Sequence, residues 1–361
     1  MRNILLIAFG LITISGYSQT DTSKNASAIT FSGYAEVYYL YNFNNTLNNN
    51  QPPFIYSFNR SNEFNVNLGY MKANYSSEKI RGNFALMTGT YPHANLSAEP
   101  EVLRNLLEGN IGVKISKRKN LWLDAGIFSS HIGFESAIGK DCWNLTRSLL
   151  ADNSPYYESG VKLGYITTDE KWYLAAMLLN GWQRIKRVDG NSTPAFGTQI
   201  TYKPNKNVTI NSSSFIGNDK PDIVRKMRYF HNFYTIFNLS NKWAATFGFD
   251  AGMEQKAKES SKMNKWYSPV LILKYSATNK LSIAARGEYY RDKNGVIISY
   301  GTPNGFQTTG ISANVDYSIQ PNVLWRVEAR SLQSKDKIFE KSNALLTRNA
   351  AWLATSISVS F

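Results

Sequence analysis

Charged residues repeat at a spacing of two in the last third of the chain. Arg286 and Glu288 form one set, and Arg326, Glu328 and Arg330 form a second. In a β-strand this spacing brings every member of a set to the same side of the sheet. Rows of opposite charge suit two kinds of chemistry. They form a ladder that selects ions, or they pair with one another and brace or hydrate a wall. The sequence leaves both open.

A second group of charges lies in the longest connector, residues 129–155. Apolar side chains are mixed with these charges, whereas an ordinary solvated loop needs few apolar groups. A loop folded back into a cavity needs them to pack on its wall. We therefore predict a constriction loop with a short helix within 137–150, and a lid on the extracellular surface is the alternative. Its candidate residues are His131, Glu135, Lys140, Asp141, Trp143 and Arg147.

Residues for covalent chemistry are sparse. The three histidines, at 93, 131 and 231, lie far apart in sequence, and Ser130 next to His131 on one strand is poor geometry for a nucleophile and its base. Neither G-x-S-x-G nor H-E-x-x-H occurs. A single cysteine, Cys142, cannot form an intrachain disulfide or a cysteine-based zinc site. The sequence predicts no enzyme, no cofactor and no metal site.

The elements that carry these residues alternate between apolar and polar positions. In the last eleven residues, from Ala351 to Phe361, one face is apolar and the other is rich in serine. Phe31 to Phe43 alternates in the same way. A period of two predicts β-strands with one apolar side. If the last strand pairs with the first, a closed barrel results and its apolar face meets lipid. Phe361 resembles the terminal signal that the barrel-assembly machinery recognises.

Connectors between the alternating segments are short and long in strict turn. Polar turns such as 116–120, 167–170 and 277–280 alternate with long segments such as 91–106, 129–155 and 292–304. This rhythm predicts an all-β, transmembrane, up-and-down antiparallel β-barrel of about sixteen strands (14–16) over residues 29–361. Short turns are expected on the periplasmic side and long loops outside. A β-sandwich or propeller explains neither the loop asymmetry nor strands of about ten residues.

The N-terminus reads as an export signal. A short positive start and eleven apolar residues, Ile4 to Ile14, precede small residues suited to cleavage before Gln19. We predict a signal peptide over 1–18, a disordered lead-in over 19–28, and localisation in the cell outer membrane.

Inward positions of the predicted strands give a candidate pore lining, because charges on the lipid face cost a few kcal/mol each near the midplane. A slip of one residue would reverse the faces, and one such slip, at a bulge, is expected near Lys72. The candidates are Glu36, Arg81, Lys114, Lys162, Asp250, Arg286, Glu288, Arg326, Glu328 and Arg330.

The stretch from Leu121 to Tyr165, LWLDAGIFSSHIGFESAIGKDCWNLTRSLLADNSPYYESGVKLGY, and the NGWQ of Asn180 to Gln183 carry a family likeness. They resemble the putative beta-barrel porin-2 family of Bacteroidota outer membranes. The likeness is closest over about 120–185, and it extends more weakly over the rest of the mature chain. It implies an outer-membrane barrel of porin type, without an established substrate.

The formal net charge of +14 calls for anionic partners. An exported protein meets little nucleic acid, so we expect outer-membrane lipid, lipopolysaccharide phosphates and anions in a pore. The predicted function is passive diffusion of small hydrophilic solutes through a water-filled barrel narrowed by loop 129–155. The alternative is a closed barrel that serves a structural or partner-binding role. A homotrimer is a reasonable expectation for a porin, but the sequence names neither its interface nor the solute.

Overall fold

A computed structural model describes residues 28–361 of the chain. The predicted signal peptide (1–18) and the lead-in up to residue 27 lie outside the described residues. Ala28, the last residue of the predicted lead-in, already begins the first strand. No helix in the described part of the chain is long and apolar enough to span a membrane.

Sixteen strands, each joined to its neighbours by antiparallel pairing, form a closed barrel. The predicted fold is therefore confirmed. A separate two-stranded hairpin, formed by β16 (Phe339–Glu340) and β17 (Leu346–Thr347), lies in the last long loop. The strands are β1 (Ala28–Asn42), β2 (Phe64–Ser76), β3 (Ile80–Thr88), β4 (Leu106–Lys114), β5 (Asn120–Ser129), β6 (Tyr157–Ile166), β7 (Trp172–Leu179), β8 (Ala195–Asn205), β9 (Val208–Asn218), β10 (Met227–Asn238), β11 (Trp243–Gln255), β12 (Met263–Ser276), β13 (Leu281–Asp292), β14 (Phe306–Gln320), β15 (Val323–Ser334), β16 (Phe339–Glu340), β17 (Leu346–Thr347) and β18 (Asn349–Ser360).

The barrel closes between its first and last strands. β1 pairs with β18 from Tyr34 opposite Ser360 to Asn42 opposite Trp352. At the end of the seam, Gly33 and Phe361 exchange backbone hydrogen bonds of 2.8 and 3.0 Å. A Cβ on Gly33 would lie 2.2 Å from Cζ of Phe361, so the phenyl ring occupies the space that glycine leaves free. This pairing removes the free edge that two unpaired strands would expose.

The two faces of the wall differ as the alternation predicts. On β18, Leu353, Ile357 and Val359 point outward and are exposed, whereas Trp352 and Ala354 point inward and are buried. The outer surface carries stacked aromatic pairs such as Trp172 with Tyr202, at 4.1 Å between ring centroids. Aromatic rings suit the boundary between lipid and water. The outer face is therefore apolar, as contact with hydrocarbon requires.

Two details of the sequence-based register were wrong. The predicted phase slip in β2 lies at Asn67, not near Lys72, because Glu36 pairs with Leu68 while the next residue, Val37, pairs with Val66. Leu68 is therefore buried inside instead of facing lipid. The alternation of β6, with Val161 and Leu163 on the lipid face, would also place Tyr157 there, but Tyr157 is buried and its hydroxyl donates to Glu99 in the loop between β3 and β4.

Connectors alternate in length around the barrel, as predicted. Turns such as 77–79, 206–207 and 321–322 lie at the end of the barrel where the chain enters β1 and leaves β18. Loops 43–63, 89–105, 130–156 and 335–348 lie at the opposite end. The loop 89–105 contains the short helix α1 (Thr90–Asn95). The helix predicted within 137–150 is instead a 3-10 turn at Gly139–Asp141 and a separate single turn, α2 (Leu149–Asp152).

Candidate functional site

The connector between β5 and β6, residues 130–156, enters the barrel and binds its inner wall; we call it the constriction loop. Arg326 on β15 donates from Nη1 to the carbonyl of Gly139 at 2.7 Å and from Nη2 to that of Cys142 at 2.9 Å. Its guanidinium also forms a bidentate pair with Asp316 on β14, at 2.7 and 3.0 Å. Bidentate pairing fixes the guanidinium plane, so the wall presents a preset pair of donors to the loop.

The charge rows on β13 and β15 hold the next turn of the loop. Glu288 accepts from the backbone N–H of Leu149 at 2.6 Å, and Arg286 donates to the carbonyl of Thr146 at 2.7 Å. Arg330 donates to the carbonyl of Arg147 at 2.9 Å and to Glu288 at 2.6 Å. These wall residues are at most 4% exposed. This arrangement agrees with the interpretation in which the charge rows pair and brace the wall. The charged groups bind one another and the backbone of the loop.

The first part of the constriction loop is held by the opposite wall. Ser213 on β9 donates to the carbonyl of His131 at 2.7 Å, and His131 Nε2 lies 2.9 Å from the carbonyl oxygen of Ser214. Asn232 on β10 accepts from the Gly133 N–H at 3.2 Å while its amide donates to Asp250 at 2.6 Å. Burial lowers the pKa of His131 to about 4, so the ring is neutral at pH 7.

Within the loop, the side chain of Arg147 links separate backbone segments by hydrogen bonds. It donates to the carbonyls of Ser136 and Leu145 at 2.6 Å and of Ala137 at 3.2 Å. Glu135 accepts from the backbone N–H of Ser148 at 3.0 Å and from its hydroxyl. A fully buried arginine that satisfies several carbonyls gives an irregular segment one defined shape.

Apolar residues of the loop complete the packing that the sequence predicts. Leu145 and Leu149 belong to the main interior cluster, and Leu150 packs on Val270 and Ala284 of β12 and β13. Trp143 packs beside the same group, with Nζ of Lys274 at 5.8 Å from its ring. The loop therefore lies inside the barrel and is not a lid on the extracellular surface.

On the inner wall of β2 to β6, by contrast, two cations stay in contact with solvent: the side chains of Lys72 and Arg81 are 23% and 40% exposed, whereas their partner carboxylates are more buried. Lys72 and Glu108 pair at 2.6 Å across Ala85, which separates them on the intervening strand. Arg81 and Asp124 pair at 2.6 Å across Gly112 in the same way. A Cβ at Gly112 would lie 2.2 Å from Oδ1 of Asp124. Small residues on β3 and β4 thus let two ion pairs reach across an intervening strand, from β2 to β4 and from β3 to β5.

Further cations extend this surface, which we call the open wall (the inward side chains of β2–β6). Lys162 faces Asp124 across β5 and β6, but both oxygens of Asp124 are taken by Arg81. In the described part of the chain Lys162 forms no ion pair, and its Nζ lies 4.5 Å from the Phe128 ring centroid. Lys114 lies on the same face near the short-turn end. The open wall therefore carries four cations against three carboxylates, of which Glu108 and Asp124 are paired and Glu158 is fully buried.

The solvent-exposed part of the constriction loop is its tip. Lys140 and Asp141 pair at 2.8 Å with side chains 38% and 45% exposed. They border a cavity of about 350 Å³ at the short-turn end of the barrel, together with Trp143, Lys274 and Asp316. The tip therefore adds no net charge to the interior.

The ten predicted lining residues all point into the barrel, and they divide into two groups. Arg81, Lys114 and Lys162 lie on the open wall. The others are covered, and they are Glu36, Asp250, Arg286, Glu288, Arg326, Glu328 and Arg330. Any contact of these residues with a solute stays a prediction. Sequence reasoning missed Lys72, Glu108 and Asp124 as lining residues. The feature that could have indicated them is a small residue, Ala85 or Gly112, which lies opposite them on the adjacent strand.

A sixteen-stranded closed barrel with an apolar exterior and a loop inserted between charged walls is the architecture of an outer-membrane channel. The family model described as "Putative beta-barrel porin-2, OmpL-like" matches residues 28–361. The chain belongs to this family and is an outer-membrane porin.

Solved structures support the fold. The anion-selective porin from Comamonas acidovorans is 8% identical, with 93% of this chain and 100% of that chain covered and a TM-score of 0.61. The channel DcaP of Acinetobacter baumannii is 10% identical (93% and 97% covered, TM-score 0.60). The trimer form of OmpT from Vibrio cholerae is 10% identical (93% and 100% covered, TM-score 0.59). No curated protein matches the chain in sequence.

Proposed function

We propose that small hydrophilic solutes diffuse passively between the constriction loop and the open wall. The observation that carries this proposal is the contrast between the two sides of the interior. Arg286 and Arg330 on the β13–β15 side are sealed under the loop, whereas the side chain of Arg81 on the open wall is 40% exposed. Sixteen-stranded barrels are wide enough to leave an aqueous channel, so an inserted loop narrows the lumen without having to fill it.

Charge gives the passage a preference for anions. The open wall has an excess of cations, with Lys162 and Lys114 beyond the two ion pairs, and the loop tip is neutral. Charges that line a narrow, low-dielectric passage raise the local concentration of the opposite ion. The likeness in fold to a porin described as anion-selective is consistent with this preference.

The proposed role is non-catalytic and needs no cofactor, because passive diffusion requires no covalent chemistry. We also propose a homotrimer, on the likeness in fold to a protein described in a trimer form. Outer-membrane lipid is the proposed partner of the exterior. Lys335 and Arg348 border an outer cavity of about 400 Å³ at the long-loop end, where phosphates of lipopolysaccharide would lie. Phe361 is proposed as the signal for the assembly machinery.

Liposome swelling tests the diffusion proposal. Vesicles that contain the refolded mature protein are diluted into isosmotic solutions of a neutral solute or of an organic anion of similar size. We expect swelling with both solutes and faster entry of the anion. Folded protein that causes no swelling would contradict the porin function and favour a closed, structural or partner-binding barrel.

A further inference from the structure

A second cavity, outside the proposed passage, lies among the long loops. Its volume is about 740 Å³, within the range of about 300–1,000 Å³ typical of small-molecule sites. It is bordered by the loop 43–63, by α1 and by the loops before β14 and β18. Asn153 of the constriction loop donates to the carbonyl of Phe54 at 3.2 Å. The cavity therefore lies at the long-loop mouth, next to the segment that narrows the barrel.

The cavity is lined by amides. The asparagine-rich start of the loop 43–63 and its continuation contribute the residues Asn42, Asn44, Asn48, Asn50, Gln51 and Asn59. Each amide carries both hydrogen-bond donors and an acceptor without a charge. Some of this capacity holds the loop in place, since Asn42 donates to Gln51 at 3.2 Å and Asn44 donates to the carbonyl of Asn349 at 3.0 Å.

Other polar atoms at the same cavity are unused. Nε2 of Gln51, Oδ1 of Asn59 and Oη of Tyr300 are buried without a hydrogen-bond partner among the described residues. Leaving such atoms unpaired costs about 1–3 kcal/mol each. A donor, an acceptor and a hydroxyl that can do both form a set that pairs well with vicinal hydroxyl groups, because each hydroxyl also donates and accepts.

Aromatic rings supply the apolar part of the lining. Tyr56, Tyr300 and Phe339 border the cavity. Phe54 packs against two of these rings edge to face, at 6.0 Å from Tyr300 and 6.3 Å from Phe339 between ring centroids. Rigid rings next to hydrogen-bonding amides fit a ligand that has apolar C–H faces and a rim of hydroxyls.

The charge of the cavity lining argues against anionic ligands. Although the chain has a formal net charge of +14, no lysine or arginine is among the residues that line this cavity in the described part of the chain. Its charged lining group is the carboxylate of Glu340. His93 also lines the cavity, and the Arg60 guanidinium reaches Asn50 and the carbonyl of Asn48 but is paired with Glu63, so an anion would meet no free lysine or arginine here. We propose that this cavity binds an uncharged oligosaccharide at the long-loop mouth of the barrel.

Ligand-observed NMR on the folded, detergent-solubilised mature protein tests the proposal. The probes are maltotriose, raffinose and triacetylchitotriose, with citrate and trialanine as comparators. We expect at least one sugar to bind in the millimolar range or tighter, and neither comparator to compete with it. Binding of no sugar, or competition by citrate or trialanine, would overturn the proposal.

Conservative variants locate the site. Gln51→Met removes an amide of similar length, and Tyr300→Phe removes a hydroxyl but keeps the ring. Each should weaken sugar binding about five- to tenfold, the value of roughly one hydrogen bond. Gln320→Met and Tyr75→Phe, on exposed residues of β14 and β2, are the matched controls. Heat-modifiable gel mobility verifies folding of each variant. Equal sugar affinity in the cavity variants and the controls would place the binding elsewhere and overturn the proposal.

Discussion

Arg326→Met should release the constriction loop while the barrel stays intact. The substitution roughly keeps the side-chain volume but removes the donors to the carbonyls of Gly139 and Cys142. It also leaves the carboxylate of Asp316 without its arginine partner. Breaking a buried ion pair by removing one partner costs about 3–5 kcal/mol. The β-ladder of the wall does not depend on these bonds, so the loss falls on the docking of the loop.

A loss of that size multiplies the undocked population of the loop by roughly a hundred- to several-thousand-fold. Arg147 is fully buried in the docked loop, so trypsin can cut after it only when the loop is released. If opening is fast compared with cleavage, the cleavage rate follows the undocked population. We therefore expect wild-type protein to resist trypsin at Arg147 and the variant to be cut at least a hundredfold faster, in the same conditions.

The assay follows the fragment that ends at Arg147 by mass spectrometry, on folded protein in detergent. Arg118→Met, in the exposed turn between β4 and β5, is the matched control, since it also replaces an arginine but contacts no part of the loop. Rapid cleavage of the wild-type protein at Arg147, or an unchanged rate in Arg326→Met, would refute the docked arrangement.

Three further predictions concern the passage and its loop. Lys162→Gln should lower the chloride-to-potassium permeability ratio by about tenfold, since a unit charge at roughly 6 Å in water favours chloride and disfavours potassium by about 0.7 kcal/mol each; an unchanged reversal potential would count against the open wall. Gly112→Ala should displace the Arg81–Asp124 pair, because its Cβ would lie 2.2 Å from Oδ1 of Asp124, and should lower stability to urea by about 1–3 kcal/mol. Gly287→Ala, whose Cβ meets nothing within 4 Å, is the control and should leave stability unchanged. Finally, burial lowers the pKa of His131 to about 4, so an undocked loop with an ordinary histidine binds the proton more tightly, and docking should weaken as pH falls from about 6.5 to about 4. Open-channel current noise should then rise with acidity, and His131→Gln should abolish that rise.

Strand alternation was sufficient to predict the barrel and the inward direction of the charge rows. A period of two assigns each residue to a face regardless of what the neighbouring strands contain. The prediction failed where the pairing itself changes phase. The bulge at Asn67 moves Leu68 and its successors to the opposite face, and nothing in the local composition marks the position.

The partners of the charge rows could not be predicted from local pattern. Arg326 binds a carbonyl 187 positions away in the chain, and Glu288 binds a backbone N–H 139 positions away. Such contacts depend on the path of an irregular loop, which has no periodicity to read. For the same reason the paired charges of the open wall, Lys72, Glu108 and Asp124, became apparent only once the strand register showed that Ala85 and Gly112 separate the partners.

Single-channel recording of the refolded barrel in a planar bilayer, with a KCl gradient across it, tests the central claim most directly. A passage between the neutral loop tip and the cationic open wall predicts stepwise, ohmic conductance and a reversal potential whose sign corresponds to chloride preference. Absence of conductance from protein verified as folded, or a reversal potential that corresponds to potassium preference, would contradict it.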